Sequence, residues 1–119
     1  MSVPENASLV QMLESLKRGN GTDMPIVDEA DMVTGMLRVA ALDHLSKRDI
    51  DAGVGIIAAD LAVSAEVALP EDLLLTAIQK MERSGVNCLA VIEPESGRLQ
   101  GLVRRQAILD FYEQSIKSA

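Results

Sequence analysis

Tryptophan is absent from the 119 residues, and tyrosine, phenylalanine, cysteine and histidine occur once each. The two aromatics are neighbours, Phe111 and Tyr112, so the base-stacking platforms of single-strand nucleic-acid binders have almost no material here. A single cysteine, Cys88, excludes an intrachain disulfide framework and any cysteine-based zinc cluster, and points to a reducing compartment. His44 has no second histidine and no cysteine at metal-ligand spacing, which leaves a surface or interface position as its reading. Basic residues are scarce: 11 Lys and Arg stand against 18 Asp and Glu, a net charge of −7. A chain this acidic is unsuited to wrapping nucleic acid or lying on an anionic membrane. No run of 18 apolar residues is present, so direct membrane insertion is not expected, and the first residues lack the basic-then-apolar layout of a secretory signal. A cytoplasmic protein is the expectation. Neither a Gly-rich phosphate loop nor a nucleophile elbow occurs, so an enzyme is not expected either.

What the chain has is apolar residues, 48% of the total, enough to fill the core of one domain that buries roughly two-thirds of its surface. They are arranged as an internal repeat. Leu9, Met12, Leu13 and Leu16 fall on one helical face, and the same spacing returns 65 positions later at Leu74, Ala77, Ile78 and Met81. Ser8 and Gln11 fit a capping box at the first helix, and Pro70-Glu71-Asp72 predicts a turn and an acidic start for the second. Gly19-Asn20-Gly21 and Ser84-Gly85 end the two helices. Short apolar runs follow, Met24-Pro25-Ile26-Val27 and Leu89-Ala90-Val91-Ile92, each closed by an acid and a polar turn. The turns differ by one residue, so Gly35-Met36-Leu37-Arg38 and Gly101-Leu102-Val103-Arg104, the second strands of two hairpins, are 66 apart. Ala41, Leu42 and Leu45 match Ala107, Ile108 and Phe111 as the inner face of a closing helix. Short strands are expected near Val3 and at Glu66-Val67-Ala68-Leu69. Between the halves, Gly53-Val54-Gly55-Ile56-Ile57 reads as a strand and residues 58–62 as a helical turn, too apolar for a flexible linker.

Each half therefore reads β-α-β-β-α, a unit of about fifty residues that cannot bury both faces of its sheet alone. The fold class is α/β (α+β), two pseudo-symmetric motifs packed sheet to sheet, with motif 1 at 1–49, an inter-motif segment at 50–65 and motif 2 at 66–119. Asp28-Glu29-Ala30-Asp31 spells a helicase motif, but in this pattern the acids sit in a hairpin turn, where aspartate is a normal turn former. Cys88, just before an apolar strand, reads as inert packing.

The repeat resembles a tandem pair of CBS motifs, the Bateman module named after cystathionine β-synthase. The resemblance rests on residues 21–28 with Gly35-Met36-Leu37, and on residues 85–93 with Gly101-Leu102-Val103; it covers nearly the whole chain. It implies a regulatory rather than catalytic module that dimerises and binds adenosine-type ligands, AMP, ADP or ATP, in clefts between the motifs. The ligand-facing positions it implies are Met24, Pro25, Val67, Leu89 and Ala90. The family's ribose-binding aspartate is replaced by Ala41 and Ala107, and the threonine before it by Arg38 and Arg104. Arg38, Arg104 and Arg105 become candidates for meeting a phosphate in forked geometry, against the alternative that they are solvated or paired with acids. The final stretch, Ala107-Ile108-Leu109-Asp110-Phe111-Tyr112-Glu113, is similar to the close of CBS pairs in ClC-type chloride channels and transporters. That implies a cytosolic module with a membrane transport domain in the same chain as a partner. Homodimerisation through outer helical faces is expected to use Ile108, Phe111 and Tyr112. Two functions follow from the resemblance: a ligand sensor that modulates a transport protein or enzyme, or a structural dimerisation module whose clefts bind nothing.

Overall fold

The structure, a computed structural model, describes residues 2–43, 55–64 and 66–118. Motif 1 runs β1 (Val3–Pro4), α1 (Leu9–Arg18), β2 (Met24–Val27), β3 (Val33–Leu37) and α2 (Val39–Asp43). A short helix α3 (Ala58–Leu61) follows, and then α4 (Leu74–Ser84), β4 (Cys88–Ile92), β5 (Leu99–Arg104) and α5 (Arg105–Ser118). His44, Leu45, Gly53 and Val54 lie outside the described residues, so the expectations placed on them do too.

Local chemistry sets the helix ends. Ser8 caps α1 as expected: its Oγ accepts from the Gln11 N–H, and Gln11 Oε1 accepts from the Ser8 N–H. The α1 exit turns on Asn20 and Gly21, both at positive φ, whereas α4 ends directly on Gly85 at φ 68°. The acidic start expected for the second helix is corrected. Helix α4 begins at Leu74 with no acid in its first turn. Asp72 instead sits in the preceding turn, where its carboxylate accepts from the Leu69 N–H at 3.0 Å and from Lys80 Nζ at 2.9 Å. These two bonds hold the Asp72 carboxyl below its ordinary range. Glu66 is likewise lowered, by its two-point bond to Arg83.

The two sheets repeat one another. In the first, β1 pairs parallel to β2 and β2 antiparallel to β3, with Val3 opposite Ile26. In the second, β4 pairs antiparallel to β5, and Ala68 bridges Val91 in parallel at the position matching Val3 and Ile26. Both hairpins carry a register shift at the same place, Ile26/Val27 and Val91/Ile92. The strand expected at residues 66–69 is reduced to that single bridge. Its neighbours are engaged by α4: the Glu66 N–H donates to Ser84 Oγ, and the Val67 carbonyl accepts from Lys80 Nζ. The inter-motif segment packs on motif 1. Ile57 bridges Ser8, and the Ala58 and Ala59 N–H groups donate to Ala7 and Glu5 carbonyls. The hairpin tips also meet, through the Met32–Arg98 bridge and the Leu99 N–H to the Asp31 carbonyl.

Two apolar clusters result. One joins Val3, Ala7, Met12, Met24, Ile26, Leu37, Leu42 and Ala58. The other joins Ala68, Ala77, Met81, Val86, Leu89 and Ile108 with Met36, a residue of β3. Alternation explains this crossing: Leu37 points to motif 1's own helices, so its neighbour Met36 points to the other half. Helix α5 departs from the expected inner face. Ile108 is buried in motif 2's own core and is therefore not a dimer contact, while Phe111 and Ala107 are exposed. A 14-residue helix runs roughly 21 Å, and only its first turn lies over the cluster.

Candidate ligand cleft at the seam between the halves

The residues just before β2 and β4, Asp23 and Asn87, clasp each other. The Asp23 N–H donates to Asn87 Oδ1 at 2.8 Å, and the Asn87 N–H donates to Asp23 Oδ2 at 3.0 Å. The second Asp23 oxygen accepts from the Val39 N–H, the first donor of α2, at 2.9 Å. On the other side, the Arg105 N–H at the start of α5 donates to the Asn87 carbonyl at 2.9 Å. Asp23 is 6% exposed and is thus a buried carboxylate satisfied by backbone donors.

Beside this clasp lies a cleft of about 540 Å³, lined by Asn20, Gly21, Thr22, Asn87, Arg104, Arg105, Gln106 and Leu109. A smaller hollow of about 190 Å³ adjoins it, bordered by Arg18, Gly19, Asp23, Met24 and Leu102, and shares Asn20, Thr22 and Arg104. Strand β5 delivers Arg104 to its C-terminal end, and the chain turns straight into α5, so Arg105 and Gln106 form that helix's first turn. Arg105 stands 3.8 Å from Glu82, with both side chains well exposed, a pairing weakened by solvent. Arg104 has no carboxylate within ion-pair distance among the described residues. Arginine, amide and hydroxyl groups around a helix N-terminus form a donor set suited to an anion.

The structure brings Arg104, Arg105 and Met24 to this seam. Arg38, the repeat mate of Arg104, does not line the cleft or the adjoining hollow. Pro25, Leu89 and Ala90 are fully buried, and Val67 uses its carbonyl to hold Lys80. Ala107 is exposed and Ala41 half-buried, and neither supplies a carboxylate. Sequence reasoning missed Asn20, Thr22, Asp23, Asn87 and Gln106. The available signal was positional: Thr22 and Asn87 stand at equivalent points of the repeat, ahead of the two strands.

Asp28 and Cys88 play the parts expected of them. Asp28 Oδ1 accepts from the Ala30 and Met32 N–H groups and closes the hairpin turn. The Cys88 thiol is fully buried, and burial pushes it up to about 12, with the Asp23 carboxylate adding to the shift and Arg104 opposing it. Native protein is therefore expected to resist N-ethylmaleimide at pH 8, while the urea-unfolded chain takes up one equivalent; rapid labelling of the folded chain would contradict this placement.

Residues 60–114 match the family model described as CBS domain. No curated protein sequence matches the chain. Among solved structures, the CBS-pair protein CBSX2 from Arabidopsis thaliana superimposes with a TM-score of 0.80 over 100% of this chain and 89% of its own, at 20% identity. The same protein has been solved in complex with AMP, at 22% identity and a TM-score of 0.77 over 96% of this chain and 87% of its own. The CBS domain pair of protein MJ0100, in complex with 5′-methylthioadenosine and S-adenosylmethionine, gives a TM-score of 0.76 at 16% identity over 97% of this chain and 90% of that one. The CBS domain of a bacterial CNNM/CorC family Mg²⁺ transporter gives 0.71 at 18% identity, covering 92% of this chain and 66% of that one. The family model is thus matched by the second motif, and the architecture of both motifs is that of the solved CBS-domain pairs.

Proposed function

We propose that this CBS pair is a non-catalytic regulatory module that takes a phosphate-bearing adenosine-type ligand at the Arg104–Arg105 cleft and modulates a transport protein or enzyme. The observation that carries the reading is Arg104. In a chain of net charge −7, it stands without an ion-pair partner among the described residues, at the mouth of an amide-lined cleft between the motifs. AMP in one related structure, and S-adenosylmethionine with methylthioadenosine in another, support the ligand class; a transporter's CBS domain supports the partner class. Residues 41 and 107 are alanines, so no carboxylate there grips a ribose diol. That loss weakens binding by a factor of about 10 to 100, and leaves the phosphate as the main handle. Among the described residues no helix is long and apolar enough to cross a membrane, consistent with a cytosolic position for the module.

The test is a calorimetric comparison of AMP with adenosine, on the native chain and on Arg104→Ala. AMP is expected to bind at least tenfold more tightly than adenosine, and Arg104→Ala to erase most of that difference. Equal affinities for the two compounds, or an Arg104→Ala chain that still prefers AMP, would overturn the reading.

A second reading, a homodimerisation module, is favoured by a different observation. Leu109, Tyr112 and Ile116 share one exposed face of α5, beside Phe111, which is 58% exposed. Phe111→Glu leaves the core untouched, so it is expected to weaken self-association without lowering the monomer's stability.

A further inference from the structure

The two halves of the repeat are not equally covered. In motif 1 the outer edge of β3 is occupied: the Met36 N–H donates to the Val63 carbonyl at 2.9 Å, and the Val63 N–H donates back to Met36 at 3.0 Å. A Cβ on Gly35 would lie 3.1 Å from Ala62 Cβ and 3.2 Å from the Val63 oxygen, so the segment sits hard against a glycine. Sixty-six positions on, β5 presents Leu102 for Met36 and Gly101 for Gly35. Leu102 stands opposite Ala90, and the Ala90 carbonyl accepts from the Ala68 N–H on the far side of β4. The pair is thus a non-hydrogen-bonded one, and the Leu102 N–H and C=O both point out from the sheet. Among the described residues no backbone group pairs with them. A Cβ on Gly101 would meet nothing within 4 Å. Met36 is 1% exposed, its side chain packed in the motif 2 cluster, whereas Leu102 is half-buried and borders the hollow of about 190 Å³.

We propose that the free edge of β5 is a docking site for a short apolar peptide segment built like residues 56–63 of this chain, a helical turn followed by an extended pair that meets the strand. The occupant follows from the molecule's own repeat, because on the equivalent edge that segment is already seated. It lays Ala62 over the glycine, pairs Val63 with the strand, and carries an acid, Asp60, in the short helix before them. Backbone pairing at the edge supplies affinity, and the glycine and the hollow select small and β-branched side chains. This inference stands on the strand edge and not on the anion cleft.

The probe is a synthetic peptide of residues 55–64, titrated into the whole chain and followed by amide hydrogen exchange. Saturable binding is expected, with exchange at the Leu102 N–H slowed at least tenfold. A scrambled peptide should leave that amide unchanged. Gly101→Val should weaken binding at least tenfold while melting within a few degrees of the native chain, since the space it fills is open; Gly101→Ala is the milder companion if valine perturbs folding. An unaltered Leu102 amide at millimolar peptide, or equal binding to Gly101→Val, would overturn the proposal. So would protection of Leu102 that rises with protein concentration alone, because a second copy would then hold the edge.

Discussion

Asp23→Ala is expected to lower the stability of the chain by about 3 kcal/mol, the sum of two charge-assisted hydrogen bonds at about 1.5 kcal/mol each. The buried carboxylate receives the first N–H of α2 and the N–H of Asn87, one donor from each half of the repeat. Alanine leaves both donors facing a space too enclosed for free hydration. For a domain of this size the loss corresponds to a fall of about 10 °C in Tm. Asp23→Asn keeps one acceptor oxygen and is expected to fall by about half as much. A second, separate bond runs the other way, from the Asp23 N–H to Asn87 Oδ1, so Asn87→Ala is expected to cost about 1 kcal/mol on its own. A Tm within 2 °C of the native value for Asp23→Ala would show that the clasp does not join the halves.

Met36→Ala is expected to cost about 3 kcal/mol, within the usual range for emptying a filled methionine site. Its side chain is 1% exposed and leaves its own hairpin to pack among Ala68, Ala77, Met81, Val86, Leu89 and Ile108. The damage should therefore appear in the half that does not contain the mutation. Faster hydrogen exchange in α4 and β4 than in α1 would be the sign. The repeat supplies a control: Leu102 occupies the same position in motif 2 but is half-buried, so Leu102→Ala is expected to cost less than half as much. Equal costs at the two positions would contradict the difference in burial between them.

Much of this fold was legible because the apolar spacing repeats. Two helical faces 65 positions apart place α1 and α4, and the glycine-led runs place β3 and β5. The capping box at Ser8 and the turn at Asp28 are local chemistry, so a few adjacent residues suffice to read them. Phe111 was misjudged because helical phase alone cannot say where a helix outruns its core. The strand at residues 66–69 faded because Ser84 and Lys80 take up backbone groups that pairing would use, and those partners are distant in sequence. The clasp was invisible for the same reason: Asp23 and Asn87 are 64 positions apart, and nothing local marks either as a partner. Of the cleft, only its arginines and Met24 could be named in advance. The amides that line it with them sit on turns whose mutual approach depends on the packed pair.

The most direct measurement is the melting temperature of the purified chain with AMP, ADP, ATP and S-adenosylmethionine, each with and without magnesium. A ligand that binds only the folded state raises stability by RT ln(1 + [L]/Kd), so a working cleft shows a dose-dependent rise. The expected result is a rise of several degrees with at least one phosphate-bearing adenosine compound at millimolar concentration, abolished by Arg104→Ala. A flat panel from folded protein would contradict a ligand-sensing module, and leave the pair as an assembly element.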